Sequence, residues 1–134
     1  MSAPDILRGH LAELTTATGI QGEVVEKDTQ LFVVLRGVAL RKGVFAVERT
    51  DVLFITDRQY PFSAMDMFWT DVDVVCADAS VPEGADNIEH YLDRPWRRFS
   101  WHRNGVWNLA GNPLLDHYAL MEARFAIEPR REAA

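Results

Sequence analysis

The sequence lacks most of the features that would assign a protein quickly. Cys76 is its single cysteine, so no disulfide can form within the chain, and a cytoplasmic setting is expected. Basic residues are in deficit: 14 Lys and Arg against 20 Asp and Glu leave a net charge of −6, which argues against a nucleic-acid surface. No apolar run approaches the roughly 20 residues needed to span a bilayer, and the first residues carry neither the basic nor the apolar region of a signal peptide, so no membrane is expected. There is no Gly-rich phosphate loop and no Gly-x-Ser-x-Gly elbow. No Cys-x-x-Cys or His-x-x-x-His pair is present, so neither a metal nor a cofactor is expected. Asp71, Asp73 and Asp78 form an acidic group, but the alternation of the first two places them on one strand face, and a solvated face fits better than a cation site. Repeats, low-complexity tracts and internal linkers are also missing. The expectation is one domain over residues 1–134, with a core of about 4–127 and a frayed tail at 128–134.

What is present is ordinary in amount: 48% hydrophobic and 25% charged residues, enough for a core without disulfides. Ser2 and Asp5 form a capping-box pattern, and Leu7, Leu11 and Leu14 recur at helical spacing up to Gly19. This predicts a helix over Pro4 to Thr18. Strands are expected at Gly22 to Glu26, Leu31 to Leu35, Asp51 to Thr56 and Met65 to Val75. The second is apolar on both faces and should be central or covered. Strands following one another without helices favour an antiparallel meander. Ala77 to Asn104 contains Pro82, Gly84 and Pro95 and predicts a long functional loop. Asn112-Pro113 caps a last helix whose stripe is Leu114, Tyr118, Met121 and Phe125, with Pro129 as its stop.

The run Val52-Leu53-Phe54-Ile55-Thr56-Asp57-Arg58-Gln59-Tyr60-Pro61-Phe62 resembles the strand and Tyr-Pro-Phe turn of ubiquitin-conjugating enzymes. With Asp66-Met67-Phe68-Trp69, Trp96-Arg97-Arg98-Phe99-Ser100-Trp101-His102 and Trp107 before the last helix, it looks like prokaryotic family E of that superfamily, over roughly residues 20–127. The resemblance implies an α+β, UBC-like fold: an N-terminal helix, a four-stranded antiparallel meander, a long active-site loop and a C-terminal helix. It also implies a bacterial conjugation pathway. A member receives the C-terminal carbonyl of a ubiquitin-like protein from an activating enzyme, holds it as an ester and passes it to an amine. A deconjugating protease is a further partner that the resemblance implies. Three features depart from the usual members. The His-Pro-Asn after the fourth strand is missing, the cysteine is displaced, and one helix stands where others carry more.

Cys76 is the obvious nucleophile, since thiolates attack well and thioesters transfer well. Its position, where His-Pro-Asn would begin, and its apolar or acidic neighbours suggest instead a small buried core residue. Ser100 fits the family spacing to Trp107 better. His102, two residues on, would share a face with it in extended chain and could take its proton. The intermediate would be an oxyester, and Arg97, Arg98, Arg103, Asn104 or backbone amides could steady its oxyanion. Equally, Ser100 and His102 could be loop residues that satisfy backbone groups. His117 flanks the last core stripe and is more readily a packed histidine than a catalyst. His10 should lie on the exposed side of the first helix, and His90 in the polar loop. Trp69 and Trp107 suit the core, while Trp101 suits contact with a partner.

Two functions therefore stand side by side. One is an acyl carrier using Ser100 and His102. The other is an inactive UBC-like module that binds a ubiquitin-like protein or an activating enzyme without forming a bond.

Overall fold

A computed structural model describes residues 2–127. The expected stop at Pro129 and the tail at 128–134 lie outside the described residues.

Helix α1 spans Ala3–Thr18. The Ser2 hydroxyl accepts from the Asp5 N–H, Pro4 occupies the first turn, and Gly19 closes the helix in the left-handed region. Leu7, Leu11 and Leu14 form its buried stripe. Helix α2, Pro113–Ala126, begins under the Asn112 side chain, which accepts from the Leu115 N–H. The Asn112 amide also donates to the His10 carbonyl at 3.0 Å, tying the start of α2 to α1.

The strands are β1 (Gln21–Lys27), β2 (Gln30–Ala39), β3 (Arg49–Asp57), β4 (Phe68–Thr70), β5 (Asn87–Tyr91) and β6 (Arg94–Phe99). Among the described residues they form one six-stranded sheet in the order β1-β2-β3-β4-β6-β5. Every pairing is antiparallel. The first four strands follow as a meander, and a hairpin is added beyond them with its second strand innermost.

β2 is buried on both faces. Leu31, Val33 and Leu35 join Val52, Phe54, Phe68 and Phe99 in the core beneath both helices. Phe32 and Val34 face the other way, with Leu53, Trp69 and Trp96. Tyr91 and Leu92, at the tip of the last hairpin, pack onto this second cluster.

Two expectations are corrected. The fourth strand is short and does not reach Val75. Val74 and Val75 donate to the Asp71 and Asp73 carbonyls, which turns the chain after Thr70. Val74 and Cys76 are buried as parts of a loop plugged into the core. The long loop expected over Ala77 to Asn104 contains the β5–β6 hairpin, so the sheet has six strands and not four. Leu92 and Asp93 both adopt positive φ, as a two-residue hairpin turn requires, without the usual Asn-Gly. Pro95 pairs with His90, whereas β4 meets β6 only at residues 97–99. The N–H that Pro95 lacks therefore has no strand to serve.

Candidate functional site

Ser100 follows directly after β6. Its N–H donates to the Gly84 carbonyl at 2.9 Å, and the Trp101 N–H turns back to the Phe99 carbonyl at 2.8 Å. Gly84 has φ +78, a conformation that disfavours any side chain. This clamp holds Ser100 at the wall of a cavity of about 350 Å³, lined by Glu83, Gly84, Ser100, Trp101, Arg124 and Ile127.

Arg124 is one residue that sequence reasoning missed. It is only 3% exposed. Its Nη2 donates to the Glu83 carbonyl at 3.2 Å. Its guanidinium carbon lies 5.3 Å from the centre of the Phe99 ring and 5.7 Å from that of Trp101. Burial lowers its pKa, opposed by the nearby Cys76 and Glu83, but a guanidinium stays charged in a protein. The signal was available: Leu114, His117, Met121 and Arg124 recur at 3, 4 and 3, so a charge stands on the buried stripe.

His102 does not bond to Ser100. Its Nδ1 lies 2.7 Å from Asp66 Oδ2, and both side chains are largely exposed. A carboxylate only accepts, so Nδ1 carries the proton in this bond, and Nε2 of a neutral ring keeps its lone pair. Asp66 Oδ1 also accepts the Arg103 N–H. Although burial raises the Asp66 pKa, the bonds from His102 and the Arg103 N–H outweigh it and lower it. No sequence spacing would have paired residues 36 positions apart.

The neighbouring groups form a second, more buried chain. Arg103 Nη2 donates to His117 Nδ1 at 2.9 Å. Arginine cannot accept, so the ring proton sits on Nε2 and is donated to the Met67 carbonyl at 2.8 Å. His117 is fully buried, and burial pushes its pKa down to about 4. Arg103 also lies over the Trp107 ring, 4.8 Å from its centre.

The other sequence candidates scatter. Arg98 faces the opposite side of the sheet, beside Trp69, and pairs with Glu89 at 2.9 Å. Arg97 ties two loops together through the carbonyls of Val72 and Ala85. Asn104 is exposed. Cys76 is fully buried, bridged to Phe45. His10 is not on an open helix face: its Nδ1 lies 2.7 Å from the Tyr60 hydroxyl. Asp71 is tied up by Arg94. Among the described residues, no cluster of His, Cys, Asp and Glu could hold a metal ion, and no helix is long and apolar enough to cross a membrane.

No curated protein and no solved structure matches the chain. The family described as Prokaryotic E2 family E matches residues 10–128. That span runs from within α1, through the whole sheet and the Ser100 cavity, to the end of α2. By that match the chain belongs to prokaryotic E2 family E, a branch of the ubiquitin-conjugating enzymes.

Proposed function

We propose that the protein accepts the C-terminal carbonyl of a ubiquitin-like protein as an oxyester on Ser100 and passes it to an amine. The supporting observation is the position of Ser100: its hydroxyl is at the wall of a cavity, its backbone N–H is held by the Gly84 carbonyl, and it lies two residues before a histidine carried by a carboxylate. In this reading the Ser100 oxygen attacks the activated carbonyl delivered by the activating enzyme. A new O–C bond forms, and the bond to the leaving group breaks. His102 Nε2 takes the hydroxyl proton and returns it to the leaving group, while Asp66 holds the ring in that tautomer. An oxyester transfers to amines less readily than a thioester, so oxyanion stabilisation matters more. Trp101, Arg124 and, after loop movement, Asn104 are the side chains within this region. Arg98, across the sheet, is left with a structural role.

The second reading, a module that binds without reacting, draws support from one observation: His102 is bonded to Asp66 and not to Ser100. Productive geometry would need the 101–104 segment to shift, as catalytic bonds in unliganded sites commonly do.

The experiment is incubation with the activating enzyme, nucleotide and the ubiquitin-like protein, followed by intact mass. An adduct that resists thiol reductant, breaks in hydroxide and vanishes in S100A supports the acyl carrier. A thiol-labile adduct lost in C76A returns the chemistry to Cys76. Reversible binding without any adduct leaves the binding module, with the activating enzyme or the ubiquitin-like protein as its partner.

A further inference from the structure

Two buried donors in the wall of the Ser100 cavity have no acceptor. They are Trp101 Nε1 and Arg124 Nη1. Both residues line the same cavity, and their side chains lie against each other. Leaving a buried donor unpaired is costly, so two in one wall call for an explanation. Arg124 is the more telling. A guanidinium is on the core stripe of α2, where an apolar residue would pack without penalty.

We propose that this cavity binds the terminal carboxylate of a peptide chain, with Arg124 and Trp101 as its recognition groups. A carboxylate offers acceptors to both N–H groups and brings a single negative charge, matching a single buried guanidinium. A phosphomonoester would bring about −1.5 to −2 and leave charge uncompensated. The cavity of about 350 Å³ holds far more than a bare carboxylate, given ~30 Å³ for each liquid water. Trp101 and Ile127 supply apolar wall for the adjoining chain. Glu83 lines the rim, and its carboxylate attracts the Arg124 guanidinium without bonding Nη1. Both N–H groups are shielded in the unliganded wall. Engagement therefore needs a small side-chain adjustment. The proposal shares its cavity with the acyl-carrier reading and rests on it only for placing a chain end beside Ser100. Carboxylate binding itself requires no bond there.

The test is a titration of the ¹⁵N-labelled protein with N-acetylglycine, N-acetylglycine amide, acetate and inorganic phosphate, following the Trp101 indole and Gly84 amide signals. The acid should shift the indole proton saturably, and the neutral amide should not. R124Q should weaken the acid about 10- to 100-fold. The titration reads binding alone, so its outcome is independent of whether Ser100 forms any adduct. Because R124Q removes a buried group and can destabilise the fold, W101F is the second variant. It keeps a ring, lacks the donor and should weaken binding about 2- to 10-fold by the Gly84 signal. N-acetylglycine should also bind more tightly than acetate. Absence of saturation, equal response to acid and amide, tighter binding of phosphate or of acetate, or unchanged affinity in folded R124Q or W101F would each overturn the proposal.

Discussion

The Trp107 indole donates to the Pro61 carbonyl at 2.6 Å, joining the Tyr-Pro-Phe turn to the segment between Ser100 and α2. The two ends of the sequence motif are thus in contact, and the turn acts as the anchor for the loop that follows Ser100. Tyr60 strengthens the joint: it is 2% exposed and lies edge-on to the Trp107 ring.

That contact gives a first prediction. W107F keeps an aromatic ring under Arg103 but removes the donor to Pro61. The loss should be about 1–2 kcal/mol, from one hydrogen bond and a carbonyl left unpaired. Urea unfolding should show a lower midpoint with an unchanged slope. A wild-type midpoint would mean that the joint is carried by packing alone.

His102 and Asp66 supply the second. If His102 is the base for Ser100, H102A should slow adduct formation about 100-fold or more. D66N keeps the shape and removes the charge, weakening the bond that fixes the tautomer, and should cost about tenfold. Single-turnover loading checks both. Equal loading by H102A and the wild type would remove His102 from the chemistry while leaving Ser100 in it.

Much of this arrangement could be read in the sequence because local rules and tertiary packing agree. Ser2 with Asp5, Leu7, Leu11 and Leu14 on one stripe, and Asn112-Pro113 at a helix start all specify helices by themselves. The two-faced run Leu31 to Leu35 required a covered strand, and it has one. The β5–β6 hairpin escaped because its turn is Leu92-Asp93 and its inner strand holds Pro95. Both are poor strand signals, made acceptable only by where β4 ends. Asp66 and Arg124 escaped for different reasons. Asp66 meets His102 through a loop closure that no spacing encodes. Arg124 was legible as a charge on an apolar stripe, but its meaning depends on the cavity beside it.

His117 gives a pH prediction. In the unfolded chain its imidazole binds a proton near the ordinary 6.5, and in the fold only near pH 4, chiefly because burial penalises the charged form. Between those values the unfolded state binds more protons. The contribution is therefore whole above about pH 6.5 and is lost as pH falls, at up to ~1.4 kcal/mol per unit. The interval from 6.5 to 5 is diagnostic, because ordinary carboxylates are still ionised there. H117Q should flatten the stability–pH curve over that interval, whatever its effect at neutral pH. The same slope in H117Q would assign the acid sensitivity to another group.

Gly84 offers a test in which stability and chemistry separate. A methyl group there would meet Ser100 only at ordinary contact distances, 3.6 Å from its carbonyl oxygen and 3.8 Å from its Cβ. Crowding is therefore not the main cost of G84A. The cost is the positive φ, about 1–2 kcal/mol for a residue with a Cβ. G84N should lose less, because asparagine tolerates the left-handed region. If Ser100 is only a loop serine, any loss of adduct in these variants should follow the unfolded fraction. If Ser100 is the acyl acceptor, its placement by the Gly84 carbonyl matters directly. Loading of fully folded G84A should then fall about tenfold or more, since small misplacements of a nucleophile are costly. Comparing loading at a temperature where both proteins are folded decides between them, with G84N expected in the middle.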